Sequence, residues 1–263
     1  MAACGGFSGQ SPRSFASWNV QADRFSGAVR HKNKHTDVCE IVFGFLNART
    51  AVGSCVFLQE VEPKLFEALD EKMQAMKAKI HRLHFVPHGN KVWPVDKFPW
   101  SWLRPREWSI GTEQNVGNVI IVRIGSDPSD MLEGNLLLDG EPSGNHACVI
   151  RFEKFTYVSA HICTVISPIR HNAQITRLKE FFDSEAEQKR VVIMGADLNN
   201  PCSFSRHGRP GTWPLASCWW PWPKLAIDCI ISNSSDFSQL TIWQSTVDGN
   251  LSDHVGVKRC EVI

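Results

Sequence analysis

The sequence has almost no charge of one sign to spare. Its 28 Lys and Arg stand against 27 Asp and Glu, a formal net charge of +1. No global field therefore draws the chain onto a polyanion or a charged membrane, and any such binding rests on a local patch. Paired cysteines are also missing. The nine cysteines are odd in number and irregularly spaced, with no C-x-x-C. That argues against a disulfide framework or a zinc site and for a reducing compartment. The N-terminal "MAACGGFSGQSPRS" has no apolar core, so no signal peptide is expected. No apolar run approaches the roughly 20 residues that a membrane span needs. The expectation is an intracellular protein, cytoplasmic or nuclear, without a transmembrane segment. Internal repeats and long low-complexity linkers are absent as well. The 263 residues are read as one domain over 1–263, with 1–13 a flexible N-terminal segment.

What is present alternates between two periods. "SFASWNV", "SCVFLQEV", "GNVIIVRI", "HACVIRF", "FTYVSAHICTV", "RVVIMGAD", "KLAIDCIISN" and "HVGVKRCEVI" read as strands, with one more between Phe237 and Trp243. "HTDVCEIVFGFLNAR" places Val38, Ile41, Val42, Phe45 and Leu46 on one helical side. "PKLFEALDEKMQAMKAKI" is an amphipathic helix with Pro63 at its start, and "NAQITRLKEFFDSEAEQ" is another. Strands alternate with helices in both halves, and each half has its own antiparallel-looking run. Two sheets packed face to face with helices outside use this pattern. The expected class is α/β, a four-layer α/β/β/α sandwich of two mixed sheets. Two long tracts lack either period. Residues 88–114 carry Trp93, Trp100, Trp102 and Trp108 among Lys91, Lys97, Arg104 and Arg106, and residues 202–224 carry four more tryptophans. Loops this long inside a compact domain are usually functional.

Polar residues recur where strands end. Asn19 closes the first strand, Glu60 closes "VFLQE" and His161 closes "YVSAH". Asp197 and Asn199 follow "VVIMGA", Asp228 interrupts "LAIDCII", and Asp253 and His254 stand in "LSDH". Taken singly, a strand-end Asp or Asn is more often a turn former. An acid inside an apolar strand needs a partner. Together the set offers carboxylates for a hard cation, amides for oxygen ligands and two imidazoles, the inventory of metal-assisted phosphate ester hydrolysis.

The ordered series "SWNV", "LQEV", "GNVIIVR", "SAHICT", "MGADLNNP", "GTWP", "AIDCIIS" and "LSDH" resembles the endonuclease/exonuclease/phosphatase superfamily, of DNase I-like fold. The match runs from Ser17 to His254, and eight motifs in order carry it although each alone is common. The resemblance implies the following roles. Glu60 is the main Mg²⁺ ligand, with Mn²⁺ a substitute, and Asn19 and Asp253 complete the metal-proximal oxygens. Asp197 activates the attacking water and Asn199 orients it. His254 donates to a phosphate oxygen while Asp228 fixes its tautomer. His161 stabilises developing charge, and Asn118 lines the same cleft. Two departures stand out. Ala196 occupies the place of the family's glycine in Gly-Asp-x-Asn. "SAHICT" has histidine where abasic-site endonucleases commonly have tyrosine, and the sole tyrosine, Tyr157, lies four residues earlier.

The resemblance names the bond and leaves the molecule open. The Trp/Lys/Arg interleaving, with Arg104 and Arg106, suits base stacking and phosphate contact, and so favours nucleic acid, DNA or RNA. Trp213 in "GTWP" ahead of "AIDCII" is similar to the tyrosyl-DNA phosphodiesterase branch. A retrotransposon-type endonuclease domain fits "AIDCIIS" followed by "SDH". A phosphoinositide phosphatase or a sphingomyelinase-type enzyme acting on a lipid headgroup is the alternative, with "CWWPWP" dipping into an interface. A non-catalytic binding module ranks last because every site position is filled. The protein is expected to be a monomer.

Overall fold

The computed structural model describes residues 12–20, 34–49, 51–76, 81–87, 116–124, 131–139, 145–162, 168–199, 228–234, 241–244 and 256–260. In chain order the elements are β1 (Ser14–Asn19), α1 (Lys34–Asn47), β2 (Cys55–Val61), α2 (Pro63–Ala75), β3 (His81–Pro87), β4 (Gly117–Arg123), β5 (Leu132–Leu137), β6 (His146–Arg151), β7 (Phe155–His161), α3 (Pro168–Glu187), β8 (Val191–Asp197), β9 (Asp228–Ser232), β10 (Thr241–Gln244) and β11 (Gly256–Cys260). One sheet has the order β10-β11-β1-β2-β4-β3, the other β5-β6-β7-β8-β9.

Three apolar layers account for the continuous apolar runs of the central strands, which are buried on both faces. Val38, Val42 and Leu46 of α1 and Leu65 and Leu69 of α2 pack on Val56, Leu58 and Val119 of the first sheet. Phe15, Phe57 and Ile120 meet Tyr157, Ile193 and Ile150 between the sheets. Leu178 and Phe182 of α3 cover Val158, Ala160, Met194 and Ala196 on the far side of the second sheet. The expected α/β/β/α sandwich is thus present.

Several boundaries differ from expectation. The helix begun at Pro63 ends at Ala75 with Met76 extended, not at Ile80, and 81–87 is β3, antiparallel to β4. β5, an edge strand, pairs with β6 and has no clean apolar alternation in "LEGNLL". α3 starts at Pro168 rather than Asn172. β9 is described from Asp228 onward, and residues 224–227 of the expected strand lie outside the described residues. The tryptophan-rich tracts 88–114 and 202–224 lie outside the described residues, as do Asp253 and His254.

Each sheet is mixed, and each has one parallel pair among its described strands: β1 with β2, and β7 with β8. Asn19 lies opposite Gln59 in the first pair, and His161 opposite Asp197 in the second. The carboxyl ends of two parallel pairs from two sheets therefore stack at one end of the sandwich.

Candidate active site

Alternation decides which side chains reach the space between the sheets. On β8, Met194 and Ala196 face α3 while Ile193 faces the opposite sheet, so Asp197, two pairs further, also points inward. On β1, Ala16 and Trp18 face the helices, which turns Asn19 inward. The two meet: Asn19 Nδ2 donates to Asp197 Oδ2 over 3.0 Å, and both residues are buried.

Glu60 breaks the same rule. Leu58 faces the helices and Gln59 the opposite sheet, so a regular strand would return Glu60 to the helix side. A bulge intervenes, because Leu58 pairs with Val119 but Val61 pairs with Gly117. Two residues, Gln59 and Glu60, thus oppose Asn118. Glu60 takes φ 54°, a left-handed conformation costing a non-glycine residue about 1 kcal/mol or more. The result re-aims the carboxylate across the sandwich, with Oε1 3.7 Å from Nδ1 of His161.

His161 occupies the centre. Its Nε2 lies 3.8 Å from Asp197 Oδ2 and 3.2 Å from Asn199 Nδ2. An amide nitrogen only donates, so Nε2 accepts there and the neutral ring carries its proton on Nδ1, toward Glu60. Asn199 also donates to the Ile162 carbonyl over 2.8 Å, and its backbone N–H donates to Asp197 Oδ1 over 2.9 Å. β8 ends at Asp197 and Asn199 has φ 50°. Asp197 and Asn199 therefore converge through an Asx-type turn, not by sharing a face of an extended chain. Asp228 is buried and directly opposite Asp197 in the sheet, which puts the two carboxylates on one face. The next residue of β9, Cys229, pairs with Ala196 and packs on the α3 side; burial and then Asp228 and Asp197 push its thiol well up, and it donates to the Ala196 carbonyl at 3.5 Å.

Asn118 stands opposite the Glu60 bulge. It is fully buried, and its Nδ2 donates 2.7 Å to the His146 carbonyl of the opposite sheet. Its position is that of a support joining the sheets opposite the Glu60 bulge. Gln59 is a second support. Its Nε2 reaches Ser17 Oγ at 3.3 Å, Ser159 Oγ at 3.1 Å and the Gly195 carbonyl at 3.2 Å. One buried amide thus ties β1, β2, β7 and β8 together behind the site. Gln59 was visible only as a polar residue in an apolar run. Gly195 is required by packing, since a Cβ there would meet Phe57 Cβ and Cγ at 2.5 Å. The glycine is demanded one residue earlier than the usual motif has it, on the inter-sheet face, and the Ala196 methyl is accommodated under α3.

The model described as the endonuclease/exonuclease/phosphatase family matches residues 7–254. The chain belongs to this family. Members are generally hydrolases of phosphoester bonds. No curated protein matches the sequence. Among solved structures, truncated TDP2 of Caenorhabditis elegans is similar at 15% identity and TM-score 0.65, covering 96% of this chain and 98% of that one. A family protein from Bacteroides vulgatus gives 12% and 0.64, with coverage of 97% and 100%. D. rerio TDP2 complexed with a single-strand DNA product gives 14% and 0.58, with coverage of 95% and 99%. At these identities the likeness shows the fold.

Enzymes of the endonuclease/exonuclease/phosphatase family commonly use divalent metal ions. The donor chemistry fits such an ion: the Glu60 carboxylate re-aimed by the bulge and the side-chain oxygen of Asn19, whose amide nitrogen donates to Asp197. Both would offer hard oxygen atoms, the donor type that hard divalent cations take. Among the described residues no group of three or more His, Cys, Asp and Glu forms a metal cluster, and Cys39, Cys55, Cys148 and Cys229 are buried thiols. Also among the described residues, no helix is long and apolar enough to cross a membrane.

Proposed function

We propose that the protein is a Mg²⁺-dependent phosphodiesterase acting on nucleic acid. The observation that carries this reading is the convergence of Glu60, His161, Asp197, Asn199 and Asn19 from four strands of two sheets. Glu60, with the Asn19 oxygen and Asp253, would hold the ion. When bound, it polarises the phosphoryl oxygen and offsets the charge that develops there. Asp197 accepts the proton of the attacking water; the amides of Asn199 and Asn19 hold its two oxygens in place. The water oxygen bonds to phosphorus as the opposite ester P–O bond breaks in line, and the leaving oxygen keeps the bonding pair and takes a proton from solvent. His161, with Nδ1–H beside Glu60, donates to a non-bridging oxygen. His254, oriented by Asp228, donates to another.

Nucleic acid is favoured over a lipid headgroup by two supports. The interleaved Trp, Lys and Arg of 91–108, including Arg104 and Arg106, suit stacking and phosphate contact. A protein of the same fold has been seen with a single-strand DNA product. The test is a panel of single-stranded DNA, duplex DNA, RNA, a 5′-tyrosyl oligonucleotide and a phosphoinositide, each with Mg²⁺ or with excess chelator. Metal-dependent cleavage of an oligonucleotide is expected. Turnover of the phosphoinositide alone, or undiminished cleavage in chelator, would overturn the reading.

A further inference from the structure

α3 begins beside the site and makes a contact that the chemistry above does not use. His171, in its first turn, is 2% exposed, and its Nε2 lies 3.1 Å from the carbonyl oxygen of Leu198. A carbonyl only accepts, so this nitrogen carries the proton and donates. Leu198 is the residue between Asp197 and Asn199. Its carbonyl follows the end of β8 and precedes the left-handed Asn199.

The helix end that delivers His171 is itself clamped on both flanks. Asp139 accepts from Arg170 Nε at 2.9 Å and from the side chain of Gln174. The same carboxylate accepts the Asn145 backbone N–H at 2.7 Å, and Arg170 Nη2 donates 3.3 Å to the Asn145 side-chain oxygen. Residues 170, 171 and 174 thus act as one unit, two held by Asp139 and the third holding Leu198. Leu198 also packs its side chain among Ile162, Ile175 and Leu178, which leaves the direction of its carbonyl to the hydrogen bond.

We propose that His171 is a positioning residue, whose Nε2–H holds the Leu198 carbonyl and thereby sets the pitch of the turn that presents Asp197 and Asn199 to the substrate. Its catalytic consequence rests on the phosphodiesterase reading; its structural consequence does not. A displacement of about 1 Å in a positioned group costs on the order of 10²-fold in rate. His171→Phe keeps the ring and loses the donor. His171→Gln places an amide nitrogen near the Nε2 position, whereas His171→Asn places one near Nδ1.

The experiment measures kcat and KM of the full chain on bis(p-nitrophenyl) phosphate with Mg²⁺, together with hydrogen exchange of the Asn199 backbone amide, which donates to Asp197. In His171→Phe, kcat should fall ~10- to 100-fold with KM nearly unchanged. Asn199 should exchange at least ~10-fold faster while the amide of Met194, inside β8, keeps its protection. His171→Gln should recover most of both losses and His171→Asn should not. Wild-type kcat and wild-type Asn199 exchange in His171→Phe would overturn the proposal, as would a His171→Gln no better than His171→Asn. The Gln/Asn pair decides the matter if the Phe variant does not fold. If the wild-type chain cleaves no phosphodiester, the functional reading falls and the exchange measurement alone decides the role of His171.

Discussion

The parallel pair β7–β8 has a buried acid at each end, and the two are held by different chemistry. At the start of the pair, Glu185 accepts from Arg151 Nε at 2.9 Å, from Arg190 Nη1 at 3.3 Å and from the Thr156 hydroxyl. Burial pushes its carboxyl up, but Thr156, Arg151 and Arg190 together hold it below the usual range. At the far end, Asp197 is gripped by amides, Asn19 Nδ2 and the Asn199 N–H, with an imidazole at 3.8 Å. Two fixed cations commit Glu185 to the fold. Amide donors orient Asp197, the acid we propose as the base. The difference separates an acid that stabilises from one that can work, although both are nearly inaccessible to solvent.

The comparison is tested most severely at Glu60. Glu60→Ala should lower activity by on the order of 10³-fold or more, the scale of losing a principal group of the site, with melting temperature little changed. Because Glu60 sits at φ 54°, Glu60→Gly should melt no lower than Glu60→Ala while being equally inactive. Retained turnover in either would remove Glu60 from the site. His161→Ala should cost on the order of 10²-fold in kcat, as for one transition-state donor; a smaller loss than about fivefold would mark His161 as structural.

Glu185→Gln should do the reverse. It leaves Arg151 and Arg190 facing a neutral amide, so chemical denaturation should show a loss of about 2 kcal/mol. The folded fraction should turn over at the wild-type rate. Reduced kcat at full folding would break the division between the two ends.

The smallest expected effect is in acid. Asp139 is pushed up by burial, but Arg170, Asn145 and Gln174 outweigh this and hold it below the usual carboxylate range, as with Glu185. A depressed folded-state pKa means that the stabilisation is present above the unfolded value and is lost as pH falls through the folded one. Denaturation midpoints should therefore decline below the usual carboxylate range, and less steeply in Glu185→Gln than in the wild type. Equal slopes would deny Glu185 its ion-paired role.

Much of the fold was legible because burial writes itself into periodicity. The apolar runs of β2, β4 and β8 and the helical stripes of α1 and α2 each declared their partners. β3 and β5 carry no such signal: among the described strands each stands at a sheet edge, and neither "HRLHFVP" nor "LEGNLL" alternates cleanly. The site was legible as a set of strand-end polar residues whose order matches a family. Its supports were not. Gln59, Asn145 and His171 each look like ordinary polar residues until a partner from another strand or helix is placed beside them.

By itself, then, the sequence determined the layers, the strand ends and the residue types gathered there, because period and polarity are local properties of the chain. Tertiary structure alone decided three things. The bulge at Glu60 reversed the direction that simple alternation assigns. The turn at Leu198 brought Asn199 back onto Asp197. The stacking of two parallel pairs set Asn19 against an acid 178 residues away. Each depends on a pairing register or an inter-sheet contact between distant segments, and no local pattern encodes such a contact until the partner strand is in place.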